Sequence, residues 1–303
     1  MQIKSTNPFF DNYVLVEYEF TTLCNKDCSY CYNMVDHEVR FTNDLETILD
    51  DMTSILTVDN PYIILNLIGG EVMVHPHYEK IIEHIYNIKK PETRVLMYTH
   101  GDHKPEWFKK KIDHVKKFGD KFKLHCTIHF EELNFDHFKQ NMQYMHDNFP
   151  AVTLYMLVDD ILISNFNLIQ ELLDNCKNLK LFGLPYDGYR QYDLIKQLNK
   201  FKELNQWADR MDNTFTLVEG EFTQSTKLFD IYKESKDFNF FGSQCTLMIY
   251  LVDKDGDIRK ACDDVILGNI RDNKKDMFDF KTITCPNVRC MESLSNLDVN
   301  DAN

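Results

Sequence analysis

The sequence predicts an α/β fold: a partial (β/α)6 barrel followed by a small C-terminal β-hairpin and helix region. Three observations carry this. Short apolar runs alternate with longer amphipathic stretches from Asn12 to about Leu184. Strand and helix patterns alternating at that spacing make βα units around a parallel sheet. The composition then changes, first to a polar link and then to a cysteine-bearing hairpin pattern.

The units follow in chain order. The strand patterns are YVLVEYEF, YIILNLI, RVLMYTH, KLHCTIHF, VTLYMLV and LKLFGL. Between them lie the helix patterns TNDLETILDDMTSIL, HYEKIIEHIYNIKK, EWFKKKIDHVKKF, DHFKQNMQYMHDN and FNLIQELLDNC. Six such units make most of a TIM-like barrel, in which residues at the C-terminal strand ends face the ligand. The expected boundaries are a barrel at 1–186, a helix-prone linker at 187–237 and a cysteine-rich region at 238–303. In that last region CTLMIYLVDKDGDIRKAC reads as two strands around an Asp255-Gly256 turn. Counting back from the turn sets Cys262 opposite Ile249, with Cys245 toward the same open end.

Composition bounds the chemistry. A chain of 303 residues with 43% hydrophobic content can bury one large core without disulfide support. The N-terminus shows no secretory pattern, and no apolar run approaches the ~20 residues of a membrane span. A cytoplasmic location is expected. A net charge of −14 argues against polymeric nucleic acid as a partner. The basic stretch Lys104–Lys123 has helical spacing around Trp107, Ile112 and Val115, as a solvated helix face would. Its other reading is a docking surface for an acidic electron donor.

Nine cysteines in such a chain point to metal ligands or catalysis rather than disulfides. They cluster as Cys24, Cys28 and Cys31, then as Cys245, Cys262, Cys285 and Cys290. Three thiolates leave a tetrahedral zinc one ligand short. On a cubane iron–sulfur cluster they leave one iron open for a small molecule.

The CxxxCxxC loop follows Glu19-Phe20-Thr21-Thr22-Leu23, with Tyr30 before its last cysteine. One βα unit later Gly69-Gly70-Glu71 ends the second strand, and His75-Pro76 follows. This combination resembles the radical S-adenosylmethionine (SAM) superfamily. The resemblance implies a 4Fe–4S cluster on Cys24, Cys28 and Cys31 whose open iron chelates the amine and carboxylate of SAM. It implies that Gly69, Gly70 and Glu71 serve the methionyl amine. One-electron cleavage of SAM would then give methionine and a 5′-deoxyadenosyl radical that abstracts hydrogen from a C–H bond. Val72 stands where the family often has proline, and His100 in Tyr98–Gly101 replaces a common asparagine.

The C-terminal cysteines, the glycine hairpin and Leu267–Ile270 resemble the SPASM/Twitch extension of that superfamily. Four cysteines suffice for a single auxiliary 4Fe–4S cluster, as in the shorter Twitch form, although zinc fits the same ligands. Strand parity places His125, Thr127 and His129 on one face of the fourth strand and Cys126 on the other. Thr127 and His129 are candidate SAM contacts by the resemblance, or hydrogen-bonding residues of the barrel. Glu17 and Glu19 share a face of the first strand, either as a base pair for catalysis or as partners of barrel residues. His75 and His77 read as loop and helix-start residues. The resulting expectation is radical chemistry on a peptide or small metabolite, fed by a flavodoxin- or ferredoxin-type donor and sensitive to oxygen. Radical modification of a nucleoside or nucleotide is the second enzymatic reading. A non-catalytic zinc or iron–sulfur redox protein is the reading of another class.

Overall fold

The computed structural model describes residues 2–5, 14–29, 31, 40–59, 62–149, 152–158, 160–177, 179–185, 214–219, 222–227, 244–245, 249–260, 266–272, 278, 283–284 and 299–300. The strands among them are β1 (Gln2–Ser5), β2 (Val14–Thr21), β3 (Ile63–Gly69), β4 (Arg94–Thr99), β5 (Phe122–Ile128), β6 (Val152–Val158) and β7 (Lys180–Pro185). Farther along come β8 (Thr214–Glu219), β9 (Phe222–Lys227), β10 (Gln244–Cys245), β11 (Ile249–Val252), β12 (Asp257–Lys260), β13 (Ile266–Asn269), β14 (Ile283–Thr284) and β15 (Val299–Asn300).

Strands β2 to β7 pair in sequence order, all parallel, as the six predicted units of a partial TIM-like barrel. Helices Leu45–Thr57, Tyr78–Ile88, Pro105–Asp113, Phe135–Asn148 and Phe166–Asn175 return the chain between them. Local chemistry marks their starts. Asp44 accepts from the Thr47 amide at 2.9 Å and Asn134 from the His137 amide at 3.1 Å, while Pro105 opens the third helix.

The two faces of the sheet differ. Val14, Val16, Tyr18 and Phe20 of β2 pack outward with Leu65, Met97, Leu124, Cys126 and Leu154 against Ile48, Met52, Ile82, Phe108 and Phe138 of the helices. Burying this apolar stripe is the main force holding helices on the sheet. Cys126 is therefore a core residue, as parity predicts. The alternate positions, including Glu17, Asn66, Tyr98, His125, Thr127 and Tyr155, take the inner face.

The basic stretch is a surface face laced with ion pairs. Lys111 meets Glu79 at 3.1 Å, Lys116 meets Asp113 at 2.6 Å, and Lys117 pairs with Glu83. Ile112 and Val115 are buried beneath them.

Two details of the later chain depart from expectation. Within 187–237, expected to be helical, the described residues are strands β8 and β9, which form an antiparallel sheet with β1. The sequences TFTLVE and FTQSTK are rich in β-branched and aromatic residues, which suit a pleated surface. The β11–β12 hairpin pairs Tyr250 with Lys260, one residue away from the register that would set Cys262 opposite Ile249. The turn is longer than two residues: Gly256, at φ 82°, donates its amide to Asp253 O, and Asp253 donates to Asp257 O. A three-residue loop ending in a left-handed glycine shifts the register in this way.

The hairpin also joins the barrel. Strand β11 runs parallel to β2, so the large sheet reads β13-β12-β11-β2-β3-β4-β5-β6-β7. Asp51, buried on the first helix, accepts from Tyr18 Oη at 2.8 Å and from Arg271 Nε and Nη2 at 3.0 and 2.9 Å. Among the described residues no helix is long and apolar enough to cross a membrane.

Candidate active site at the strand ends

The cysteine loop and the glycine–glycine–glutamate turn meet at the C-terminal ends of β2 and β3. Gly70 donates its amide to Thr21 O at 3.0 Å, and Glu71 donates to Leu23 O at 2.7 Å. A Cβ on Gly69, whose φ is 133°, would lie 1.9 Å from Thr21 O, and one on Gly70 would lie 2.2 Å from Leu23 O. Both glycines are thus required by the approach of one loop's backbone to the other.

Cys28 is buried and Cys24 and Cys31 are half-buried; all three are free thiols. The Cys31 amide donates to Cys28 O at 3.0 Å. Neighbouring strand ends staple this loop. Lys26 Nζ reaches Asp102 Oδ2 and Glu132 O, each at 2.7 Å. Glu131 accepts from the Ser29 amide at 2.8 Å and its hydroxyl at 2.6 Å, and Glu132 accepts from the Asp27 amide at 3.1 Å. Arg40 closes the loop on Cys24 O and Asp27.

Glu71 is the hub, only 1% exposed. Its Oε2 accepts from Thr99 Oγ1 at 3.0 Å and from the His100 amide at 2.9 Å, and its Oε1 accepts from the Met73 amide at 3.3 Å. His100 Nε2 and His103 Nε2 lie 3.5 and 3.6 Å from Oε2. Burial pushes the Glu71 carboxyl up, but the histidines and the His100 amide outweigh it and bring the group down to about 2. His100 also contacts Asp102 Oδ1 through Nδ1 at 2.7 Å and Asn25 Oδ1 through Nε2 at 2.9 Å. Burial raises the Asp102 carboxyl, and His100 and Lys26 then hold it far below the carboxylate range. One polar chain therefore runs from Lys26 in the cysteine loop through Asp102 and His100 to Glu71.

Behind it, Asn141 Nδ2 donates to Gly101 O at 2.8 Å and to His103 O at 2.7 Å, fixing the turn that carries both histidines. Gly101, at φ 71°, leaves no room for a Cβ, which would sit 2.3 Å from Cys126 Sγ. Glu71, His100 and His103 present ligand atoms within 4.8 Å of one another, a spacing that a cation could use. Both Glu71 oxygens already accept hydrogen bonds, whereas His103 Nε2 has no hydrogen-bond partner.

Thr127 is half-buried on the inner face of β5, opposite Tyr155 in register. His129, half-buried, caps the same strand end; burial and the nearby His100 and Lys26 lower its imidazole to about 4, so it is neutral near pH 7. His75 Nδ1 accepts from the His77 amide at 3.2 Å, and His77 stands immediately before helix Tyr78–Ile88, the loop and helix-start positions expected. Tyr30, Cys262, Cys285 and Cys290 lie outside the described residues. Cys245 lies on β10, between β14 and β15.

The residues that brace the loop, Lys26, Asp102, His103, Glu131, Glu132 and Asn141, were not singled out in the sequence. Their one signal is position: most follow the C-terminal ends of β4 and β5.

The donor set suits a 4Fe–4S cluster. Burial pushes the Cys24 thiol up to about 11, with the Glu71 charge adding to the effect. A thiolate there requires a directly bound cation, which cluster iron supplies.

Residues 18–189 match the Radical SAM superfamily. No curated protein matches the sequence. Among solved structures, anSMEcpe, described as bound to AdoMet and a Cp18Cys peptide, aligns at a TM-score of 0.54 and 18% identity over 88% of this chain and 79% of its own. Streptococcus suis SuiB, described as bound to the precursor peptide SuiA, aligns at a TM-score of 0.61 and 12% identity over 88% of this chain and 65% of its own. At such identities the likeness is one of fold.

Proposed function

Since the chain belongs to the radical SAM superfamily, we propose that Cys24, Cys28 and Cys31 hold a 4Fe–4S cluster with one iron left for SAM, in an enzyme acting on a peptide or small metabolite. When bound, the cluster and SAM supply a 5′-deoxyadenosyl radical that takes a hydrogen atom from the substrate. The observation that carries the reading is the 2.7 Å bond from the Glu71 amide to Leu23 O, which sets the carboxylate loop against the cysteine loop.

The chain's own groups orient and hold. Glu71 stays ionised near pH 7, so its carboxylate carries the charge that an ammonium would pair with. His100, Asp102 and Lys26 keep the two loops in register. Thr127 and neutral His129 border the same strand ends as SAM contacts, joined by Tyr30 of the cysteine loop. Cys245, Cys262, Cys285 and Cys290 hold an auxiliary 4Fe–4S cluster for electron transfer. What supports this is the pairing of Gln244 with Thr284, the residues just before Cys245 and Cys285. A peptide substrate draws support from the peptides named with anSMEcpe and SuiB. A flavodoxin- or ferredoxin-type protein delivers the electron, in the cytoplasm.

The test is iron and sulfide content together with 5′-deoxyadenosine formation, on anaerobically reconstituted wild type and Cys28→Ala. The expected result is about eight irons in the wild type, with about half the iron and all deoxyadenosine lost in the variant. A wild type that binds zinc at the C-terminal cysteines, or that fails to cleave SAM under strong reductant, overturns the proposal.

A further inference from the structure

The cysteine loop is held on one side by acids. The 3-10 turn Phe130–Glu132 follows β5 and sets two carboxylates against the backbone around Cys28. Glu131 Oε2 accepts from the Ser29 amide at 2.8 Å and its Oε1 from the Ser29 hydroxyl at 2.6 Å. Glu132 Oε2 accepts from the Asp27 amide at 3.1 Å. Asp27 and Ser29 are the residues on either side of Cys28. Both amides that flank this cysteine are thus taken by side chains 102 and 105 positions along the chain.

The charges around the loop do not cancel. Lys26 pairs with Asp102 at 2.7 Å, and Arg40 pairs with Asp27. Glu131 and Glu132 form no ion pair among the described residues; their donors are two amides and a hydroxyl, all neutral. A neutral acceptor would staple a loop equally well. In the same segment the Asn134 side chain takes the His137 amide in that way, at 3.1 Å. What the glutamates add is negative charge.

The reduction potential of an iron–sulfur cluster is set by net charge, by hydrogen bonds to its sulfurs and by exposure. An amide spent on a carboxylate is withdrawn from sulfur, where it would stabilise the more negative, reduced form. A carboxylate nearby opposes uptake of an electron outright. Both effects push the potential down. Because the two side chains are exposed, solvent and salt screen the charge, so withdrawal of the amides is the larger part.

We infer that Glu131 and Glu132 are positioning residues that hold the cluster on Cys24, Cys28 and Cys31 at low potential, by taking the amides beside Cys28 and leaving negative charge at the loop. The inference deepens the radical SAM reading above and rests on it. A low potential suits that chemistry, in which one electron accepted from the donor protein must pass to a sulfonium.

The experiment is an EPR-monitored redox titration of the anaerobically reconstituted protein without SAM, reading the reduced-cluster signal that Cys28→Ala loses. The double variant Glu131→Gln, Glu132→Gln removes the charges and keeps acceptors. At a fixed solution potential its ratio of reduced to oxidised cluster should rise about threefold, the order of an exposed charge interaction. The double alanine variant also frees the amides. Its ratio should rise about tenfold, the order of one hydrogen bond and a midpoint about 59 mV higher for one electron. Glu171→Gln removes a carboxylate that pairs with Lys139 on the outer helices and should leave the midpoint where it is. Should the alanine variant lose its iron, the glutamine variant gives the answer. Lower stability or iron content with an unchanged midpoint makes the two glutamates structural staples and overturns the inference; so does a midpoint that falls, or one that Glu171→Gln raises equally. A wild type with no Cys28-dependent signal overturns the radical reading together with this one. A wild type that shows the signal and cleaves SAM, with unchanged midpoints in the glutamate variants, overturns this one alone.

Discussion

Two glutamates in one barrel meet opposite fates. Glu71, at the strand ends, is buried among donors that hold its carboxyl down at about 2, whereas burial pushes Glu17 of the inner face up to about 7, with Glu19 adding to the rise and Asn66 opposing it. Burial disfavours the charge of both; what differs is the supply of compensating donors. The strand-end region is built to hold an anion before anything binds. On the inner face Asn66 Oδ1 and both His125 ring nitrogens have no hydrogen bond. Pairs of carboxyl groups split in this manner mark where a fold assigns different roles to one residue type.

The largest expected effect breaks the strand-end region at its backbone. Gly70→Ala would put a methyl 2.2 Å from Leu23 O, so the two loops must separate. A cost of about 4 kcal/mol is expected, with loss of cluster iron and of deoxyadenosine formation. Chemical denaturation and iron analysis check this; retention of both would mean that the loops need not touch. Next comes the brace. Lys26→Met strands Asp102, whose side chain is 6% exposed, without its ammonium partner. Breaking a buried pair on one side costs about 3–5 kcal/mol. Denaturant midpoints should show this destabilisation at neutral pH, and an unchanged midpoint would place Lys26 outside the network.

The contrast itself is tested by pH. Glu71 falls from an ordinary 4.5 to about 2 on folding, so its stabilising effect is present above pH 4.5 and disappears as pH drops toward 2. Glu17 rises from 4.5 to about 7, so the folded state favours its protonated form, and stability falls as pH rises through 7. Each shift corresponds to about 3 kcal/mol at most. Glu71→Gln should therefore destabilise at neutral pH, while Glu17→Gln should stabilise near pH 8 and do little below about pH 4. Unfolding curves of both variants across that range would sink the contrast if the two responded alike. The smallest effect concerns the C-terminal hairpin. Arg271→Ala leaves Asp51 with Tyr18 but without the guanidinium, at a cost of about 1–3 kcal/mol. Amide hydrogen exchange should quicken in β11 to β13 while β4 to β6 stay protected.

Much of this site was legible in the residues, because its signals are local. Three cysteines within eight residues, and two glycines before a glutamate, are short-range patterns that chain stiffness and donor chemistry explain without a fold. The brace was not legible. Lys26 and Asp102 are 76 positions apart, and nothing near either names the other. The linker strands were hidden by a polar composition that also suits helix. The hairpin register was missed because Asp255-Gly256 fits a two-residue turn as well as the three-residue loop actually formed, and one extra residue moves every partner by one.

The sequence by itself determined the period of each element, hence which side chains of β5 face the helices and which face the interior, and it determined the two loops that meet at the strand ends. Periodicity is a property of the local backbone, so it survives without knowledge of neighbours. Only the tertiary structure decided that β11 lies beside β2, that Arg271 reaches Asp51 across 220 positions, and that the Glu71 carboxyl is held down while that of Glu17 is pushed up. Those outcomes depend on desolvation and on which distant donors fill the space around a group, quantities that exist only after the chain has closed on itself.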